Sequence, residues 1–207
     1  PAQSLTYSLV AAPAGAAINP TTGVFTWTPT ESDGPGSFPV TLRVTDSGSA
    51  TAETTFTITV TESNSAPVLA PITAQSVNEG TLLTVTAAAT DADLPADTLT
   101  YSVVAAPAGA AINPTTGIFT WTPSESDGPG TFPVTLRVTD GAAATAEASF
   151  TITVTESNSA PVLAAITAQS VNEGTLLTVA AAATDTDLPA DTLTYSVVAA
   201  PAGAALN

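Results

Sequence analysis

The stretch Ser149-Phe150-Thr151-Ile152-Thr153-Val154-Thr155 decides the fold. Its apolar residues recur every second position, with threonine between them. A period of two describes a strand with one buried and one wet face, whereas a helix would need a period of 3.6. Threonine suits the wet face, being both β-branched and polar. The same reading extends outward. In Pro133–Thr139, Val134, Leu136 and Val138 alternate with Thr135, Arg137 and Thr139. Through Leu82–Thr90 the inward set is Leu83, Val85, Ala87 and Ala89. Leu99, Tyr101 and Val103 form a further set, and Phe119 with Trp121 another. Turn signals separate these runs at Asn78-Glu79-Gly80, Leu94-Pro95-Ala96, Ala106-Pro107, Asn113–Gly117 and Asp127–Gly130. The Ala-rich stretches near Ala88 and Ala142 lack a helical period and are read as part of this pattern. The expectation is an all-β chain of Greek-key β-sandwiches, with about seven short strands in each unit. Trp121 shares a face with Phe119, which makes it a core residue rather than a platform for a sugar.

The unit repeats. Leu-Thr-Tyr-Ser begins at Leu5, Leu99 and Leu193, and Asn-Ser-Ala-Pro-Val-Leu at Asn64 and Asn158, so the period is 94 residues. Residues 1–63 match 95–157 except at 11 positions, and 64–113 match 158–207 except at 4. Near-identity of this kind reflects recent duplication. Starting each repeat at the Asn-Ser-Ala-Pro junction gives residues 64–157 as one complete repeat. Residues 1–63 are then the C-terminal part of a copy, and 158–207 the N-terminal part of another. Each partial copy is expected to expose the inner face of a half-sandwich. The chain is therefore read either as a window on a longer array or as one whose partial copies are completed by neighbours. Together those two parts cover a full repeat with 19 residues to spare, so identical chains are expected to be able to complement one another by strand addition.

Composition excludes several functions. There is no Cys and no His, which removes a disulfide framework, a thiolate nucleophile, Cys-based zinc sites and the usual neutral-pH base. With 2 Lys+Arg against 18 Asp+Glu and a net charge of −16, the chain cannot neutralise phosphates, so nucleic acid is not an expected partner. No apolar run approaches the ~20 residues of a membrane span, and no secretory leader is read at Pro1-Ala2-Gln3. An apolar content of 44% with regular alternation argues against disorder.

The acids are placed rather than spread. In the complete repeat they are Glu79, Asp91, Asp93, Asp97, Glu125, Asp127, Asp140, Glu147 and Glu156, and all but Glu147 lie at strand ends or in loops. Loops at one pole of a sandwich converge, and uncompensated carboxylates brought together repel. A hard cation with six to eight oxygen ligands resolves the conflict, and calcium tolerates irregular geometry best. Asp97 is the weakest candidate, because Gln3 stands at its place in the first copy.

Several motifs resemble a known family. Asn78-Glu79-Gly80, Thr90-Asp91-Ala92-Asp93, Leu99–Ser102, Val138-Thr139-Asp140-Gly141 and Asn158–Val162 are similar to a cadherin-like repeat. Pro107–Asn113 and Gly117–Pro123 more narrowly resemble the dystroglycan-type cadherin-like and immunoglobulin-like repeats of large bacterial surface proteins. The resemblance covers the whole 94-residue unit. It implies calcium at the junction between successive repeats. Carried over, one junction would use Glu31 or Asp33, Asn64, Asp91, Asp93 and Asp140. The other would use Glu79, Glu125 or Asp127, Asn158, and the pair Asp185 and Asp187. The acidic linker of that family is reduced here to Glu-Ser-Asn-Ser, which implies weaker sites or fewer ions.

The leading expectation is structural: an extracellular, cell-surface rod or filament of end-to-end sandwiches, each adding about 35–45 Å, stiffened by junctional calcium. Its partners would be neighbouring repeats of the same or identical chains. The alternative is a calcium-dependent adhesive module that holds a surface glycan or protein ligand. Catalysis is not expected. Asp91 and Asp93 meet the residue requirement of a glycosidase pair, but no second acid is marked out in a cleft, and a catalytic centre repeated in every copy would be unusual.

Overall fold

The computed structural model describes residues 4–206. Sixteen strands follow in order: β1 (Leu5–Ala11), β2 (Ala17–Ile18), β3 (Phe25–Thr26), β4 (Gly36–Asp46), β5 (Thr51–Val60), β6 (Val68–Leu69), β7 (Gln75–Asn78), β8 (Leu83–Thr86), β9 (Ala89–Thr90), β10 (Thr100–Ala105), β11 (Ala111–Ile112), β12 (Ile118–Trp121), β13 (Gly130–Thr139), β14 (Thr145–Thr155), β15 (Val162–Leu163) and β16 (Ala183–Thr184). The helical elements among the described residues are two three-residue 3-10 turns, Glu31–Asp33 and Glu125–Asp127. No helix is long and apolar enough to cross a membrane. The fold is all-β, with immunoglobulin-like sandwiches. In the middle repeat one sheet has the order β10-β13-β14-β7 and another β11-β12-β8, while β6 pairs with β9.

The run Leu82–Thr90, read as one strand, is two. Through β8 it pairs antiparallel with β12, Val85 opposite Phe119 and Leu83 opposite Trp121. At Ala87 the chain changes partner: the Ala87 N–H donates to the Gly117 carbonyl at 2.9 Å, and the Ala88 carbonyl accepts from Ala70 N–H at 2.8 Å. One inward alternation thus serves two pairings, so the middle repeat has more and shorter strands than the seven expected. Gly117 is required at this crossing. Its φ is +68°, and a Cβ there would stand 2.5 Å from the Ala87 carbonyl oxygen.

The chain divides into two compact units. The first comprises Pro1–Val68, Ala89–Thr100 and Val138–Ala146. Its main sheet has the order β1-β4-β5. β4 and β5 form a long hairpin running from Gly36 opposite Val60 to Thr45 opposite Thr51. The hairpin turn is held by Asp46 Oδ1, which accepts from Gly48 N–H and Ala50 N–H at 2.8 and 2.9 Å. Phe25 meets Phe56 edge-on at 5.9 Å, and Trp27 meets Phe38 at 4.9 Å.

The second unit comprises Leu69–Ala88, Tyr101–Arg137 and Glu147–Asn207. Its core holds Phe119, Trp121, Val134, Leu136, Ile152 and Val154, all 0–2% exposed. Trp121 donates its indole N–H to the Ala108 carbonyl at 3.1 Å, so the ring is buried without an orphaned donor. Each fully buried side chain of this size contributes about 1.5–3 kcal/mol. Parallel pairing of β14 with β7 places Ile152 opposite Gln75 and Val154 opposite Val77. Both arginines of the chain lie on exposed sheet faces, Arg43 against Glu53 at 2.6 Å and Arg137 against Glu147 at 2.7 Å, which explains why Glu147 alone stands mid-strand.

Candidate metal centres

Each unit holds its own acidic centre. In the first, Glu31 lies in the 3-10 turn before β4, Glu62 follows β5, and Asp93 follows β9. One carboxylate oxygen from each lies within 4.8 Å of the others. Asp93 is 4% exposed, and both its oxygens accept from Ser65 N–H, at 3.0 and 3.1 Å. Glu31 Oε1 accepts from Leu94 N–H at 2.9 Å. The Asp-Ala-Asp turn closes on itself, Asp93 N–H donating to Asp91 Oδ1 at 3.1 Å. The other Asp91 oxygen is buried with no hydrogen-bond partner. Asn64 donates from Nδ2 to Asp140 Oδ2 at 2.9 Å, and Ala144 N–H donates to Asp140 Oδ1 at 2.7 Å. The Asn64 amide, helped by backbone N–H groups, holds the Asp140 carboxyl below its ordinary range.

In the second unit the counterparts of Glu31, Glu62 and Asp93, one period on, are Glu125, Glu156 and Asp187, and Glu79 joins them. Oxygens of Glu79, Glu125 and Glu156 lie within 4.8 Å of one another. Glu79 is 7% exposed; its Oε1 accepts from Ser157 N–H at 3.0 Å, while its Oε2 is buried and unpartnered. Both Glu156 oxygens are buried and unpartnered. Loss of water, then the adjacent Glu79 carboxyl, then the charges of Glu125 and Asp187 push the Glu156 carboxyl up to about 7. Glu125 Oε1 accepts from Leu188 N–H at 2.8 Å, and both Asp187 oxygens accept from Ser159 N–H, at 3.1 and 2.9 Å. Asp185, Asp187 and Asp191 also bring oxygens within 4.8 Å of one another.

The structure thus gathers Glu31 with Asp93 and ties Asn64 to Asp140 in the first unit; in the second it gathers Glu79 with Glu125 and, in a separate group, Asp185 with Asp187. Asn158 turns its amide to the Ser159 carbonyl at 2.9 Å. Asp33 and Asp127 instead serve their own 3-10 turns. Asp33 Oδ2 accepts from Thr30 N–H and Oγ1 at 2.7 Å each, and Asp127 Oδ2 from Ser124 N–H and Oγ at 2.8 and 2.6 Å. These Thr30 bonds also lower the Asp33 carboxyl from its ordinary range. Sequence reasoning left Glu62 and Glu156 out of the sites. The signal was present: Phe150, Ile152 and Val154 are buried, and Glu156 is the next residue of that parity. An acid that continues the inward alternation of a core strand is delivered to the buried pole rather than to solvent.

The donor set is oxygen throughout, with orphaned anionic oxygens at its centre. That chemistry fits a hard divalent cation such as calcium, which replaces the missing hydrogen bonds and cancels the repulsion.

A family model described as "Putative Ig domain" matches residues 1–61 and 66–155, well over half of the chain. The chain belongs to this family. No curated protein sequence matches it. Among solved structures, that of human CDH23 EC21-23 is similar with a TM-score of 0.57 and 20% identity, over 88% of this chain and 68% of that one. Protocadherin Gamma B2 extracellular cadherin domains 1-5 match with a TM-score of 0.53 and 16% identity, over 75% of this chain and 34% of that one. The protocadherin GammaB4 extracellular domain matches with a TM-score of 0.51 and 18% identity, over 80% of this chain and 30% of that one. At these identities the likeness is one of fold: cadherin-like β-sandwiches.

Proposed function

We propose that these repeats are the structural region of an extracellular surface protein or filament, a rod of end-to-end sandwiches with repeat boundaries at residues 64 and 158, and that calcium at the junctions limits their hinge angles. The observation that carries this reading is the group Glu79, Glu125, Glu156 and Asp187, in which buried carboxylate oxygens lack any partner. Loop acids that serve only solubility stay in water; these do not. Glu79 and Glu125 belong to the middle repeat and Asp187 to the next, while Glu156 precedes the linker Asn158. A cation held by this set ties the end of one repeat to the start of the following one.

The test is thermal unfolding of the 207-residue chain in millimolar calcium and in chelator. At a free ion concentration 100-fold above the dissociation constant, binding to the folded state alone adds about 2.7 kcal/mol, and the melting temperature rises accordingly. Superimposable curves in the two buffers reject the calcium reading. Tight, specific binding on a glycan array would instead move the assignment from stalk to adhesin.

A further inference from the structure

We propose that Gly128 is a positioning residue of the second acidic centre: the Glu79 carboxylate fills the space left by its missing side chain, and a larger residue there expels that carboxylate and weakens the hold on calcium. The consequence for calcium rests on the reading given above; the seating of Glu79 stands without it.

The observation that carries the proposal is steric. A Cβ added to Gly128 would overlap Glu79 Oε2, and would stand 3.3 Å from Glu79 Cδ and 3.2 Å from Val154 Cγ1. Glu79 Oε2 is also the buried oxygen that lacks a hydrogen-bond partner. The anionic oxygen therefore reaches its buried place only because nothing projects from residue 128. The backbone itself does not ask for glycine. Gly128 has φ −107° and ψ 147°, an extended conformation open to any residue. Gly80 makes the opposite case: its φ is +69° and an added Cβ there would meet nothing within 4 Å. Glycine serves the turn at 80 and the space at 128.

Glu79 cannot retreat with its main chain. Its N–H donates to the Thr155 carbonyl at 3.2 Å, and the N–H of Gly80 donates to the Pro123 carbonyl at 2.8 Å. Its Oε1 accepts from Ser157 N–H at 3.0 Å. What yields to a methyl group at 128 is the far end of the Glu79 side chain, and its departure frees Ser157 N–H. Gly128 follows directly on the turn Glu125–Asp127. One short segment thus contributes the Glu125 carboxylate to the centre and leaves room for that of Glu79, whose oxygens lie within 4.8 Å of each other. Affinity at an all-oxygen site follows the count of charged ligands, so expelling one of them weakens the site.

The experiment compares the 207-residue chain with Gly128→Ala, Glu79→Ala and the double variant. Amide exchange at Ser157 is followed by NMR in chelator, and calcium is titrated calorimetrically. Gly128→Ala should speed Ser157 exchange as much as Glu79→Ala does, while the amides of β14 keep their protection. Its calcium affinity at the second centre should fall about tenfold or more, the loss expected when a charged ligand goes. On the Glu79→Ala background, Gly128→Ala should change neither quantity, because the truncated side chain leaves the space free. A Gly128→Ala chain that unfolds but is rescued by Glu79→Ala supports the same coupling. Unchanged Ser157 exchange in Gly128→Ala overturns the proposal, as does an effect of Gly128→Ala that persists in full, unfolding included, on the Glu79→Ala background. A parent chain that takes up no calcium overturns the consequence for calcium, and the Ser157 comparison then still decides the seating.

Discussion

The first and middle repeats carry almost the same residues in the same internal geometry and bury them differently. Trp27 and Trp121 meet Phe38 and Phe132 at 4.9 and 5.0 Å, and both indoles find a carbonyl 13 residues earlier. Trp121 is nonetheless 2% exposed, while Trp27 is half-buried and Phe56 is open to solvent. The acidic poles differ in parallel. Glu62 is exposed, whereas its counterpart Glu156 is half-buried with both oxygens sealed. The segment 75–88 accounts for both contrasts. β7 and β8 cover the aromatic face, and the residue directly after β7, Glu79, adds a buried carboxylate that has no counterpart in residues 1–63. One segment completes the core and charges the pole.

The largest effect should come from the aromatic pair. Trp121→Ala should cost about 3–5 kcal/mol in urea unfolding, the range for emptying a well-packed site. Trp27→Ala should cost clearly less. Equal losses would mean that the aromatic face of residues 1–63 is packed in solution as closely as that of the middle repeat.

The poles come next. Glu79→Gln should weaken calcium binding at least tenfold, about 1.4 kcal/mol, because it removes one formal charge from the second centre. Isothermal titration should show one class of site lost and the other unchanged. In chelator the same variant should be stabilised, since it relieves repulsion among Glu125, Glu156 and Asp187.

The pH response sharpens the contrast further. Glu156 titrates near 7 in the folded state and near its ordinary 4.5 when unfolded. The native state therefore binds more protons between those values, and stability in chelator should fall as pH rises from about 5 to 8. Glu156→Gln should flatten that limb, and saturating calcium should do the same. Asp33 and Asp140 work the other way. Their carboxyls are lowered, so the stability they lend is present above their ordinary value of 3.8 and is lost as pH falls through the folded value. Melting temperatures across pH 3–8 separate the two limbs.

The smallest effect belongs to the exposed ion pair. Arg137→Ala should change stability by no more than about 1 kcal/mol, because both partners of the Arg137–Glu147 bridge are more than two-fifths exposed. Arg43→Ala should behave alike, which makes these variants controls for the contrasts above.

Much of this fold was legible because strand alternation is a local property. Phe150, Ile152 and Val154 declare their face without reference to any other part of the chain, and Trp121 declares its own through Phe119. The split of Leu82–Thr90 into β8 and β9 was not legible. Inward parity is continuous across Ala87, and what changes there is the pairing partner. The acidic centres were legible in part. Asp-x-Asp and the Glu after β7 stand out by type and spacing. Asp33 and Asp127 looked equivalent to Glu31 and Glu125, being two residues away in the same turns. The turn decides between them: the third residue bends back to accept from the N–H of Thr30 or Ser124, just before the turn, and the first is left to reach Leu94 or Leu188.

Sequence alone determined the period, the all-β class, the inward set of each strand and the oxygen-only chemistry available to any bound ion. These follow from side-chain type and from a two-residue repeat, which do not depend on distant contacts. Tertiary structure alone decided which carboxylates converge and which lose their water. Those properties arise when residues 28 to 78 positions apart, such as Ser65 with Asp93 and Glu79 with Ser157, are brought within hydrogen-bonding distance and solvent is excluded between them.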